Sequence, residues 1–157
     1  NRCLVGSEMC IRDSINIPAT GERWIGGKDL PANLNGVEVR VRKGLALSEA
    51  TLASTSPKMF LGKDAERIQR VQDKVKLPIF GGDCYLYGML TLGTIDLVIE
   101  ASMSDYDYLA PTAMVHAAGG VVTGWAGEQL GLGTTDKIVA AADPKLHAEV
   151  IKLLNND

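Results

Sequence analysis

The chain has 157 residues, 46% of them hydrophobic and 22% charged, with a formal net charge of -3. That length fits one compact domain or part of a larger protein, and the composition excludes a disordered chain. The acidic balance argues against a surface that tracks nucleic-acid phosphates, and no apolar run reaches the roughly 20 residues of a membrane span, so neither nucleic acid nor membrane is expected as a partner.

Residues 1–14 come first. The run VGSEMCIRDS resembles translated adaptor sequence and no initiator Met opens the chain, so this stretch is expected to be a non-native or disordered leader. Cys3, Cys10 and Cys84 make an odd set without CxxC or other metal-ligand spacing, which fits a reducing compartment and hence the cytoplasm.

Residues 15–43 carry short β-type runs punctuated by Gly and Pro. Asn35-Gly36 predicts a tight hairpin, because both residues accept positive φ. Beyond it Val37, Val39 and Val41 alternate with Glu38, Arg40 and Arg42, so the cations of VEVRVRK read as the wet face of a strand. The segment is expected to be a remnant of antiparallel sheet.

From residue 44 to 157 strand and helix patterns alternate, which predicts an α/β domain. ATLASTSP reads as a strand ending at Pro57, and DAERIQRVQDKV as a helix with Ile68, Val71 and Val75 on one stripe. LPIF reads as a short buried strand, DCYLYGMLTLG as a helix closed by Gly93, and IDLVIEA as a strand carrying Asp96 and Glu100. A third helix follows in SDYDYLAPTAMVHAAGG, with Leu109, Ala110, Ala113, Met114, Ala117 and Ala118 on one face against a sheet. VVTGW and KIVAAA are two more strands. The last helix starts at Asp143-Pro144, a cap followed by proline at the first helical position, and buries Leu146, Val150, Ile151 and Leu154.

Two corners repeat one local logic: LPIFGGD and IDLVIEASMSDYD each run from a strand through an aspartate into a helix. One reading is capping, in which the carboxylate accepts from free amides of the first turn and contributes roughly 0.5–2 kcal/mol. The other starts from geography, since open α/β sheets bind ligands beyond the carboxyl ends of their strands. Asp83, Glu100 and Asp107 all fall there, and converging acids point to a hard cation or a cationic substrate group. Asp105 reads as a solvated neighbour. His116 and His147 read as surface or packing residues, and Trp24 and Trp125 as core anchors. Cys84 beside Asp83 is a poor nucleophile, because a carboxylate opposes the thiolate. No G-x-S-x-G, H-E-x-x-H or phosphate-cradling G-x-x-x-x-G-K-[ST] motif occurs.

GERWIGGKDLPANLNG, GGDCYLYGMLTLGTIDLVIEASMSDYDYLAPTAMVHAAGGVVTGWAG and LGLGTTDKIVAAADPKLHAEVI resemble the C-terminal half of the inositol monophosphatase family, most closely its histidinol-phosphate phosphatase branch. The resemblance runs from about Ile15 to the last helix. It implies the layered α/β sandwich shared with fructose bisphosphatase, of which this chain is the C-terminal portion with part of the N-terminal antiparallel sheet. It also implies Mg²⁺-dependent hydrolysis of a small phosphorylated metabolite by a homodimeric parent. Asp107 matches a metal-ligating aspartate, and Glu100 and Asp83 match positions that line the substrate. An acid at Asp83 suits histidinol phosphate, whose ammonium and imidazole a carboxylate holds better than it holds the hydroxyls of inositol.

Two departures qualify the match. The remaining metal ligands, a glutamate pair and a DPIDGT-type loop, belong to an N-terminal half that this sequence does not contain, so no catalytic residue is assigned and the chain alone is expected to be inactive. Thr123-Gly124-Trp125 stands where the branch often has Thr-Asp-Trp. Inositol phosphate and a 3′(2′),5′-bisphosphate nucleotide are alternative substrates. A non-catalytic metabolite-binding or oligomerisation module is the alternative of another class.

Overall fold

The computed structural model describes residues 13–156. Of the expected leader, residues 1–12 lie outside the described residues, as do Cys3 and Cys10. Asp13 and Ser14 form the start of the first strand.

The first sheet is an antiparallel meander of β1 (Asp13–Ile17), β2 (Glu22–Gly27), β3 (Leu30–Leu34) and β4 (Val37–Glu38), in the order β1-β2-β3-β4. Asn35 and Gly36, at φ 50° and 86°, form the two-residue turn between β3 and β4. Both take the positive φ that the primed hairpin turn demands, as Asn-Gly predicts. Val39 and Val41 are buried and Arg40 and Arg42 exposed, as the alternation predicts, but Val37 beside the turn is exposed, so the buried face begins only after β4.

The second sheet holds β5 (Thr51–Ser54), β6 (Leu77–Phe80), β7 (Leu97–Glu100), β8 (Val121–Gly124) and β9 (Ile138–Ala141), in the order β6-β5-β7-β9-β8. β6, β5 and β7 run parallel, while β9 is antiparallel to β7 and to β8. The helices are α1 (Lys63–Gln72), α2 (Tyr85–Thr91), α3 (Asp105–Ala117) and α4 (Pro144–Asn155). No helix among the described residues is long and apolar enough to cross a membrane.

Strand parity sorts the core into two layers, because successive side chains of a strand point to opposite faces. Ala53, Val98, Ile138 and Ala140 join Trp24 and residues of α2 and α3 in an inner core. Leu52, Leu97, Ile99, Val139 and Ala141 join α1 and α4 in an outer one. The order is therefore sheet, helix pair, sheet, helix pair. α3 was expected to bury one face; being covered by a sheet on each side, it buries Tyr108 and every residue from Pro111 to Val115. β6 also departs from expectation. It is an edge strand whose Leu77 and Phe80 are half exposed, and Pro78 suits that position because an edge strand has fewer ladder bonds to lose.

The outer helices are fastened by arginine. Arg67 Nε donates to the Leu154 carbonyl at 2.5 Å and Arg70 Nε to the Leu153 carbonyl at 3.0 Å, satisfying acceptors that the end of α4 leaves free. At its start Asp143 accepts from the Leu146 amide at 2.9 Å, the cap that Asp-Pro predicts.

The inner layer has no slack. A Cβ on Gly88 would lie 2.9 Å from the Trp24 ring, and one on Gly26 would lie 3.0 Å from both the Ala117 Cβ and the Met114 sulfur. Alanine is the better helix former by roughly 1 kcal/mol, so Gly88→Ala separates propensity from packing. Overpacking wins here: Gly88→Ala is expected to destabilise the fold by about 1–3 kcal/mol. Denaturant titration checks this, as a lower midpoint at unchanged slope. A raised midpoint would refute the close packing of α2 on Trp24.

Candidate active site

Parallel neighbours end at one edge of a sheet. Ser54 pairs with Phe80 and Ala53 with Val98, so the carboxyl ends of β6, β5 and β7 stand side by side. Asp83 follows β6, Thr55 follows β5, Glu100 ends β7, and α3 begins five residues later with Asp107 in its first turn. All four line one cleft of about 490 Å³. The convergence expected of Asp83, Glu100 and Asp107 is therefore geometric fact, and Ser14 and Asn16 of β1 close the cleft from the other sheet.

Glu100 is the buried member, with 1% of its surface exposed. It shares the parity of Val98 and so faces the inner layer, where the Tyr87 hydroxyl donates to Oε2 at 2.7 Å. The Thr55 hydroxyl donates to Oε1. Burial, and then the neighbouring Glu100 carboxylate, push the Tyr87 phenol well above its ordinary range, so it stays a neutral donor. The Trp125 indole donates to the Glu100 carbonyl at 3.1 Å and the Ile138 carbonyl at 3.2 Å, fixing the strand end.

Asp107 combines both readings of the sequence. Its Oδ2 accepts from the Ser104 amide at 2.9 Å, one half of a capping box, and Oδ1 takes no hydrogen bond among the described residues. Pro111 lies within α3 and offers no amide to the Asp107 carbonyl one turn earlier, which leaves more of the hold on this end to side chains. Asp83 does not cap α2. It is exposed, at φ 45° after Gly81 and Gly82 at 101° and 115°, and its carboxylate takes no hydrogen bond among the described residues.

A hard divalent cation prefers carboxylate oxygens, and Mg²⁺ commonly takes one or two from the protein with the balance from water and phosphate. Among the described residues no group of three or more His, Cys, Asp or Glu is arranged to hold a metal. The Oδ1 of Asp107 fits as one ligand of such an ion and not as a whole site.

Asp105 keeps contact with solvent but is more than a bystander. Its Oδ1 accepts from the Tyr108 hydroxyl at 2.7 Å, and its two oxygens accept from the Gly133 amide at 3.0 and 3.1 Å, tying the loop before β9 to the start of α3. The Cys84 thiol is pushed up by burial and then by Asp83, in line with its reading as a poor nucleophile. Burial lowers both His116 and His147, which are half buried, and His147 Nε2 lies 2.8 Å from the Thr123 hydroxyl. At Gly124 the Glu128 carboxylate fills the space of a Cβ.

Thr55 and Tyr87 are not among the candidate residues that the sequence singles out, although both line the cleft. Thr55 is the first residue past a strand, where an α/β sheet meets its ligands; Tyr87 lies inside α2 while Asp83 lies outside it, so no local spacing marks Tyr87.

A model of the inositol monophosphatase family matches residues 13–157. The bifunctional phosphatase IMPL2, chloroplastic, of Arabidopsis thaliana is 37% identical over 147 residues, which cover 89% of this chain and 42% of that protein. A histidinol-phosphatase of Chlorobaculum parvum is 27% identical over 116 residues, 73% of this chain and 45% of that protein. The solved structure of an inositol monophosphatase from Zymomonas mobilis superposes with a TM-score of 0.92 at 34% identity, covering 97% of this chain and 60% of that one. The chain thus spans less than half the length of these two curated relatives.

The Asp105 clasp carries a pH signature. The Tyr108 hydroxyl and then the Gly133 amide hold the Asp105 carboxyl below the usual carboxylate range. Its contribution to stability is therefore complete above the unfolded value of roughly 3.9 and is lost as the pH falls through the lower folded value. Denaturant titration of wild type and Asp105→Asn is expected to show a larger stability gap at pH 6 than at pH 3. A gap independent of pH would refute the charged clasp.

Proposed function

Because the chain belongs to the inositol monophosphatase family, we propose that it is the C-terminal portion of a Mg²⁺-dependent phosphatase whose substrate is histidinol phosphate. One observation carries the substrate reading: Glu100 and Asp83 line a single cleft, and neither forms an ion pair with any described Lys, Arg or His. A carboxylate buried without a cation is costly, and hydroxyl donors offset only part of that cost. An ammonium or imidazolium entering the cleft supplies the missing charge, which the neutral hydroxyls of a polyol do not. The likeness to a histidinol-phosphatase supports the same reading.

In this proposal Glu100 and Asp83 grip the cationic end of the substrate and so direct its phosphate toward Asp107. The Ser104 amide fixes the rotation of Asp107, leaving Oδ1 to hold the metal. When bound, Mg²⁺ neutralises phosphate charge and lowers the pKa of a water. With Asp107 as the one acidic ligand proposed here, this segment by itself is expected to hold Mg²⁺ weakly and to need the rest of the protein for turnover. The likeness to the inositol monophosphatase of Zymomonas mobilis favours inositol phosphate as the second reading.

Kinetics of the complete protein that carries this segment decide between them. Asp83→Ala is expected to raise KM for histidinol phosphate by roughly 10- to 100-fold, the worth of one charge-assisted bond, and to raise KM for inositol phosphate far less. Equal increases for the two would remove the cation argument. Asp107→Asn is expected to raise the Mg²⁺ concentration needed for half-maximal activity; an unchanged Mg²⁺ dependence would exclude Asp107 as a ligand.

A further inference from the structure

We propose that Tyr87 and Thr55 are positioning residues for substrate selection: their two hydroxyls hold both oxygens of Glu100 so that the carboxylate meets the cationic end of the substrate already aimed. The inference rests on the reading of Glu100 as the contact for that end. It adds two residues of the cleft lining whose part in selection is exerted through Glu100.

The geometry makes the hold rigid. Tyr87 comes from α2 and Thr55 from the end of β5, so the carboxylate is gripped from a helix and from a strand at once. Tyr87 is 1% exposed, and its ring belongs to the inner core that leaves α2 no freedom against Trp24. Thr55 is β-branched, which restricts its first side-chain torsion. An ionised carboxylate has about four acceptor sites; the hydroxyls take two and leave the others for a ligand. Both donors are neutral. They orient the charge without cancelling it, whereas an arginine or lysine in either place would have satisfied Glu100 from within.

A purely structural role for this cluster predicts differently. A buried carboxylate held by neutral donors is a poor device for stability, since apolar residues of similar volume commonly do as well or better. If the cluster served packing alone, loss of either hydroxyl would move stability and leave discrimination between substrates untouched.

The test uses the complete protein carrying this segment, with histidinol phosphate and inositol phosphate as the aminated and amine-free substrates. Tyr87→Phe and Thr55→Val are each expected to shift the ratio of the two KM values roughly 10-fold against the aminated substrate. Thr55→Ser, which keeps a hydroxyl, is expected to restore the ratio. In a Glu100→Gln background Tyr87→Phe is expected to add no further shift, because the two residues act as one unit. A denaturant midpoint is taken for every variant, and should Tyr87→Phe not fold, the Thr55→Val and Thr55→Ser pair reads the same hold on the other oxygen. If Glu100→Gln leaves the ratio unchanged, the cation contact itself is wrong and the positioning role falls with it. If Glu100→Gln shifts the ratio and neither Tyr87→Phe nor Thr55→Val does, the positioning role alone is overturned.

Discussion

Two helices packed between two sheets have little surface left for solvent, and that constraint governs the rest of the molecule. Gly26 and Gly88 mark where the layers touch with no room for a side chain. A helix so enclosed is not amphipathic, so α3 runs Tyr108, Pro111, Thr112, Ala113, Met114 and Val115 as buried residues with no wet stripe. Enclosure also dictates where polar chemistry goes. The helix pair meets solvent chiefly at its ends, and the starts of α2 and α3 coincide with the edge at which three parallel strands finish. The acids gather there because the layer permits them nowhere else.

The two acids of β7 and its approach show how differently burial can be resolved. Asp96 is fully buried and fully answered: Arg42 grips it with two bonds at 3.0 and 2.8 Å, and the Thr51 amide adds a third at 2.8 Å. The Asp96 hydrogen bond raises the Arg42 guanidinium further above its usual range. Asp143 does similar work nearby, accepting from the amides of Gly44 and Leu146. Together they moor the segment that crosses from one sheet to the other. Glu100 is buried to the same degree and has only neutral hydroxyls. An acid completed by its own chain is structural, whereas the lack of a countercharge at Glu100 among the described residues is what supports its proposed part in binding.

Much of this was legible where a local rule has one physical solution. Asn35-Gly36, Gly93 and Asp143-Pro144 each mark a backbone need that few residues meet, and the structure uses each as read. The three cleft acids were legible because strand ends and helix starts fix their side of the sheet. What eluded the sequence depends on distant partners. LPIF is equally apolar whether covered or at an edge, and only the strand order shows that β6 has one neighbour among the described residues. Asp105 looks solvated until Gly133 returns 28 residues later to bond it. The alanines of α3 announce close packing, but not that it occurs on two sides.

The layering also assigns the two tryptophans of the chain to different compartments. Trp24 lies in the inner core, edge-on to Tyr85, and Trp125 in the outer core, stacked on Phe60 at 6.0 Å beneath the cations of Arg67 and Lys137. Each indole thus has its own electrostatic surroundings and its own neighbours able to quench it. The molecule carries an optical label in each layer, and tryptophan emission resolved by single replacement would follow the loosening of one layer independently of the other.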